Sequence, residues 1–156
     1  LEVTKGKFKD MNIREVVQLI HDNGIEIMGN YLFGLTGDTF KSMQKTLDLS
    51  IELNTIGWNA YAVMPLPGSE IYKEARLKKA KLPKSYIDYS FHSKSTSPLG
   101  TDSLSPSEIL KFRDDAFNKY HLNKKYLSKI EKKYGITAVN NIKQMTAIKL
   151  ERDILK

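Results

Sequence analysis

Two short stretches hold the residue types best suited to a bound ligand: GLTGDT (34–39) and MPLPGS (64–69). Each follows an apolar run. Glycine lets a planar ligand or a phosphate approach the backbone closely, and proline holds a loop at low entropy. GLTGDT lacks the Gly-Lys-Ser/Thr of a P-loop and the three-glycine spacing of a dinucleotide fingerprint. Taken singly, each stretch is also what a tight strand-to-helix connection looks like. Conventional side-chain chemistry is thin. The chain contains no cysteine, which excludes disulfides, thiolate catalysis and any cysteine-ligated metal or cluster on these residues. His21, His92 and His121 are far apart and fit no zinc spacing, so no metal ligand and no catalytic residue is assigned. His21 reads as a surface residue complementing a helix C-terminus, His121 as solvent-facing in a basic segment, and His92 as a loop residue without a partner.

The elements that must position these loops follow from periodicity. Residues 12–24, NIREVVQLIHDNG, read as a helix, with Asn12 as cap, Glu15 three residues on, and Ile13, Val16, Val17 and Ile20 as the apolar stripe. Gly24 supplies a left-handed stop. Residues 25–35 are β-branched and aromatic and nearly continuously apolar, as expected of a parallel strand covered on both faces. Asp38 or Thr39 then caps a helix to Leu53, with Phe40, Met43, Leu47 and Ile51 at helical spacing, and residues 56–64 make a second strand. Helix, strand, helix, strand with short turns is the rhythm of a parallel α/β sheet. In such folds ligands sit at the carboxyl ends of strands, where both glycine loops fall.

Pro67 and Gly68 suit the centre of a type II turn, and Ser69 caps a helix to about Ala80. Residues 81–104 lose periodicity and read as a long surface connection. From residue 105 the chain is helical. Ser105, Pro106 and Glu108 form a capping box, a second helix runs from Asn123 to Tyr134 and closes at Gly135, and Thr137 opens a final helix to the C-terminus. Two strands, or three if Leu1–Thr4 is a remnant, are too few for a complete parallel sheet. The expectation is therefore part of a larger α/β domain, and a start at Leu1 rather than methionine suggests a processed or cropped chain.

The chain has 156 residues, 40% hydrophobic and 28% charged, with a net charge of +7. This is ordinary for one soluble domain. No stretch is apolar enough to span a bilayer, and no signal peptide opens the chain, so the expectation is a cytoplasmic protein with no membrane partner. The positive charge is concentrated. Residues 71–84 and 117–133 each hold six Lys/Arg against one Glu, leaving the remainder net acidic. Such segments attract anions, nucleic acid included, but lysine-rich helix faces are commonly just solvated, and that reading is preferred.

The two loops together are far more specific than either alone. The run GIEIMGNYLFGLTGDTFKSMQKTLDLSIEL, followed by PLPGSEIYKEA, resembles the second half of the radical S-adenosylmethionine (SAM) domain. Gly24, Ile25, Gly29, Gly34, Gly37 and Thr39 match the family's pattern before its helix. Pro65, Pro67, Gly68, Ile71 and Tyr72 match the pattern that ends its next strand. Thr36, Asp38 and Ser69 depart mildly, since an acid and a cap are retained. The resemblance covers about residues 4–76. The segment SEILKFRDDAFNKYH looks, more loosely, like the helical extension of subfamilies that carry a cobalamin-binding domain.

The resemblance implies an α/β fold: an incomplete TIM-barrel fragment with two or three parallel strands over residues 1–80, an irregular connection at 81–104 and an all-helical C-terminal extension at 105–156. It implies a parent Fe-S oxidoreductase or methyltransferase-type enzyme that binds a 4Fe-4S cluster and SAM and generates a 5′-deoxyadenosyl radical. The cluster's CxxxCxxC loop would lie upstream of Leu1, so this chain alone would be inactive, and cobalamin in the parent is left open. Gly34, Leu35, Met64 and Leu66 are implied to line the SAM side. Asn30, Asn59 and Tyr61 are candidates to face the parent's small-molecule substrate, whereas Tyr31 and Trp58 are assigned to packing. The alternatives are a basic nucleic-acid-binding module and a helical interaction module. A cropped half-barrel also has an open strand edge on which two copies would pair artificially.

Overall fold

Asn12 opens the first helix, α1 (Ile13–Asp22), by accepting a hydrogen bond from Arg14 N–H, while its own amide donates to Glu15 Oε1 at 2.7 Å. These details come from a computed structural model that describes residues 10–156; the expected remnant strand at Leu1–Thr4 lies outside the described residues. Gly24 follows with φ of +72° and turns the chain into β1 (Met28–Phe33). The αL residue Asn54 ends α2 (Phe40–Leu53), and β2 (Gly57–Ala62) pairs parallel with β1. Thr39, not Asp38, caps α2, in a reciprocal box with Ser42.

Ser69 caps α3 (Glu70–Leu77) after the Pro67–Gly68 turn, which closes through Ser69 N–H to the Leu66 carbonyl with Gly68 at φ of +92°. The helix ends three residues earlier than expected because Lys79 enters the left-handed region and the Ala80 N–H closes back on the Ala75 carbonyl. The remaining helices are α4 (Pro106–His121), with the Ser105/Glu108 capping box, α5 (Lys124–Tyr134) and α6 (Ile136–Ala147). Thr137 does not cap the last of these: the helix starts at Ile136 after Gly135, which has φ of +80°, and it ends at Ala147. The terminal segment is a strap with one short 3-10 turn at Asp153–Leu155.

Among the described residues the sheet has two strands, in register Met28↔Gly57, Asn30↔Asn59 and Leu32↔Tyr61. The fold is thus mixed α/β with no closed barrel among the described residues. The expectation that both sheet faces are covered is corrected. Burial alternates along both strands, and among the described residues only the face carrying Phe33, Trp58, Ala60 and Ala62 is packed. Side chains alternate across a strand, so Met28, Asn30, Leu32, Asn59 and Tyr61 share the other face.

The packed face meets α4, whose Ile109, Leu110, Phe112, Ala116 and Tyr120 are buried, with Met43 and Leu47 of α2 alongside. Trp58 stacks on Tyr120 with centroids 5.0 Å apart, and Phe33 meets Phe112 edge-on at 5.1 Å. The Tyr120 hydroxyl donates to the Thr55 carbonyl at 2.6 Å, so this ring also ties α4 to the entry of β2. Tyr31 and Trp58 pack as expected. His121 does not face solvent: it is buried against Trp58, Phe117 and Tyr126 because it falls on the same face of α4 as Phe117 and Tyr120. The connection at 81–104 is likewise not merely superficial. Thr96, Pro98 and Leu104 are buried, and the Thr101 hydroxyl donates to the Asp38 carbonyl at 2.9 Å.

Candidate functional site

Because β1 and β2 run parallel, their carboxyl ends and both glycine loops emerge side by side. Val63 N–H donates to the Phe33 carbonyl at 2.9 Å and carries the pairing to the mouth of the loops. At the first loop, Gly34 is buried with φ of +84°, and a Cβ there would stand 2.8 Å from the Ile109 side chain. The amides of Gly34 and Leu35 both donate to Asp38 Oδ2 at 3.0 Å, and Ser42 Oγ donates to Oδ1 at 2.6 Å. Asp38 therefore organises the turn from inside instead of capping α2. At the second loop, the Met64 carbonyl accepts from Leu66 N–H at 2.9 Å. Leu35 is half-buried and Leu66 is exposed. The amides of Gly34, Leu35, Asp38, Thr39, Leu66 and Ser69 are thus engaged by groups of the loops themselves or of the adjoining helix start. Outward the loops present Thr36 and Gly37 on one side and Leu66, Pro67 and Gly68 on the other.

The residues read as substrate-facing all lie on the uncovered sheet face. Asn59 Nδ2 donates to Asn30 Oδ1 at 3.1 Å across the ladder, one pair from Leu32 and Tyr61. No charged side chain belongs to this face of the strands, so it presents amide and phenol groups among aliphatic ones. Tyr61 leans edge-on against Phe91 at 5.2 Å.

Beyond Tyr61 the surface turns a corner at the outer edge of β2. The end bonds of the ladder, Gly57 N–H to the Ile27 carbonyl and Val63 N–H to the Phe33 carbonyl, fix which groups point inward. In a parallel ladder these alternate, so Trp58, Ala60 and Ala62 direct their backbone groups to the outer edge. Arg113 occupies that edge: its Nε donates to the Ala60 carbonyl at 2.8 Å, with the guanidinium over the rings of Phe91 and Phe117. A cleft of about 710 Å³ lies here, between β2, α4, Phe91 and the terminal strap, and Asn59 and Tyr61 reach its rim. Gly34, Leu35, Met64, Leu66 and Asn30 do not line it.

Arg113 and Asp114, which line this cleft, and Arg152, which pairs with Asp114, are given no role by the residue patterns. A signal was present. The arginines are Arg14, Arg76, Arg113 and Arg152 in a chain rich in lysine, and arginine is favoured where a planar fork must meet a carboxylate or stack on a ring.

The basic segment 117–133 has an internal role. Lys125 and Lys129 donate to the carbonyls of Glu52 and Asn54 at the C-terminus of α2, and Lys133 pairs with Glu26. Cations at a helix C-terminus oppose its negative end. Among the described residues no cluster of His, Cys, Asp or Glu is arranged to hold a metal, and no helix is long and apolar enough to cross a membrane.

No family model matches the chain. It is similar to a methyltransferase. The relative is the bacteriochlorophyllide d C-12(1)-methyltransferase of Chlorobaculum tepidum, 31% identical over 75 residues, which are 47% of this chain and 16% of the relative. The chain thus spans well under two thirds of that relative's length.

Proposed function

We propose that residues 1–80 are the SAM- and substrate-side part of a radical SAM enzyme of the methyl-transferring type, and that residues 105–156 are a helical extension packed on it. The observation that carries this reading is the placement of two glycine loops side by side at the carboxyl ends of parallel strands, above an open, uncharged sheet face. Ligands of parallel α/β folds bind at that end. The distant methyltransferase similarity supports the choice of reaction class.

In this reading Leu35 and Leu66 are apolar walls for the adenosyl part of SAM, and the backbone at Gly34 and Met64 sets how close it comes. The Asp38 bonds fix that backbone before any ligand arrives, so the surface is preorganised. Asn30, Asn59 and Tyr61 face the small-molecule substrate. A cluster held elsewhere in the parent would supply the electron for radical chemistry on SAM. The cluster does not fit these residues, because the chain has no thiolate to ligate it. Cluster and electron transfer therefore belong to the rest of the parent, and cobalamin is assigned to no residue here.

The test is the coding sequence upstream of Leu1. An in-frame CxxxCxxC loop within about one domain half supports the reading. An initiation codon immediately before Leu1 overturns it, and the glycine loops then become ordinary connections.

A further inference from the structure

The cleft at the outer edge of β2 has a composition that the loops and the open sheet face do not explain. Ile148, Leu150 and Leu155 of the strap and Met145 of α6 are all exposed, and all four line this one cleft opposite Phe91 and Phe117. Such convergence of exposed aliphatic side chains marks a binding surface. The volume, about 710 Å³, lies in the range of small-molecule sites.

The lining is apolar, but its charges are uneven. Asp115 is paired with Lys111, and Asp114 with Arg113 and Arg152. Lys149 has no carboxylate partner among the described residues, and the lining, with Lys111, Arg113 and Lys149 against Asp114 and Asp115, is net positive. A peptide strand is a poor occupant, because Arg113 already holds the Ala60 carbonyl that a β-ladder would need. A small anion with a large apolar body satisfies both the walls and Lys149.

We propose that this cleft binds an apolar small molecule bearing a carboxylate, its body against Ile148, Leu150, Phe91 and Phe117 and its carboxylate at Lys149. Asn59 and Tyr61 sit on both the cleft rim and the open sheet face. Such a molecule, or one end of a longer one, is thereby contiguous with the face assigned to substrate. The inference rests on the proposed function only for that continuity, and the cleft is tested separately from SAM.

The probes are 1-pyrenebutyrate and its uncharged counterpart 1-pyrenebutanol, titrated against the 156-residue chain by fluorescence. Saturable binding of one equivalent is expected, with the carboxylate held roughly tenfold tighter than the alcohol, as one charge-assisted contact provides. Lys149→Glu abolishes that preference while leaving the alcohol unchanged. Ile148→Asp combined with Leu150→Asp weakens both probes tenfold or more. These side chains are exposed, and far-UV circular dichroism of each variant verifies its fold. Non-saturable binding, equal affinity for the two probes, or indifference to Lys149→Glu overturns the inference. None of these results bears on SAM binding at the loops, so the two readings fail separately.

Discussion

Arg152 and Asp114 form a two-pronged pair across 38 residues of chain: Arg152 Nε donates to Asp114 Oδ2 at 2.9 Å and Nη2 to Oδ1 at 3.1 Å. The same guanidinium donates through Nη1 to the carbonyls of Phe91 at 2.6 Å and Ser93 at 3.1 Å. One buried side chain thereby fastens the strap, the long connection and α4 together. Removing one partner of a buried pair costs about 3–5 kcal/mol, and the low end applies because Asp114 is partly exposed. Arg152→Ala is expected to lower unfolding free energy by about 3 kcal/mol in urea titrations. Arg152→Lys rescues little of this loss, since lysine cannot reproduce the fork. Full rescue by lysine contradicts the geometry.

The two glycines of the first loop separate backbone strain from packing. Both have positive φ, +84° at Gly34 and +85° at Gly37, but a Cβ meets Ile109 at 2.8 Å only at Gly34. Gly37→Ala is expected to cost about 1–2 kcal/mol, the left-handed penalty alone. Gly34→Ala adds overpacking against a fully buried isoleucine and is expected to cost about 2–4 kcal/mol. Thermal melts of the two variants check the order, and equal losses contradict it.

Much of this arrangement was legible in the sequence. Ser69, Ser105 with Glu108, Gly24 and Asn54 act locally, through caps and left-handed turns, and local chemistry is what a sequence displays. Asn30, Asn59 and Tyr61, named through the family resemblance, do share one face of the sheet, as the ladder register requires. What the sequence hid was long-range. Its nearly continuous apolar run at 25–35 suggested two covered faces, but which face is covered depends on α4, some eighty residues away. His121 was misread because its basic neighbours are exposed, whereas its own helix position faces Trp58. The Arg113, Asp114 and Arg152 network joins three distant segments, and no local pattern announces it.

Burial holds the His121 imidazole below its ordinary value, with the Arg113 charge acting in the same direction and the Phe117 carbonyl opposing. The folded state thus disfavours the imidazolium relative to the unfolded chain. Stability from this group is complete above the unfolded value near 6.5 and falls as pH drops below it. His121→Phe is expected to flatten the decline in urea midpoint as pH falls below about 6.5, leaving a residual slope from His21, whose value burial also lowers. An unchanged slope contradicts this assignment.

Among the described residues no arginine occupies the outer edge of β1. Its outward backbone groups belong to Met28, Asn30 and Leu32, where Asn30 Nδ2 donates to the Met28 carbonyl at 3.5 Å, beside the exposed side chains of Met28 and Leu32. Such an edge recruits another strand. Light scattering is expected to show a dimer forming with concentration, and Leu32→Lys to restore the monomer. A wild-type chain that stays monomeric at high concentration contradicts edge pairing.

The most direct test of the central claim is equilibrium binding of SAM to the polypeptide encoded by the complete reading frame that contains this chain, measured by calorimetry. The account predicts one SAM per polypeptide, weakened tenfold or more by Leu66→Asp at the loop wall and unaffected by Lys149→Glu in the cleft at the outer edge of β2, which the loop residues do not line. No SAM binding, or binding indifferent to Leu66→Asp, would contradict it.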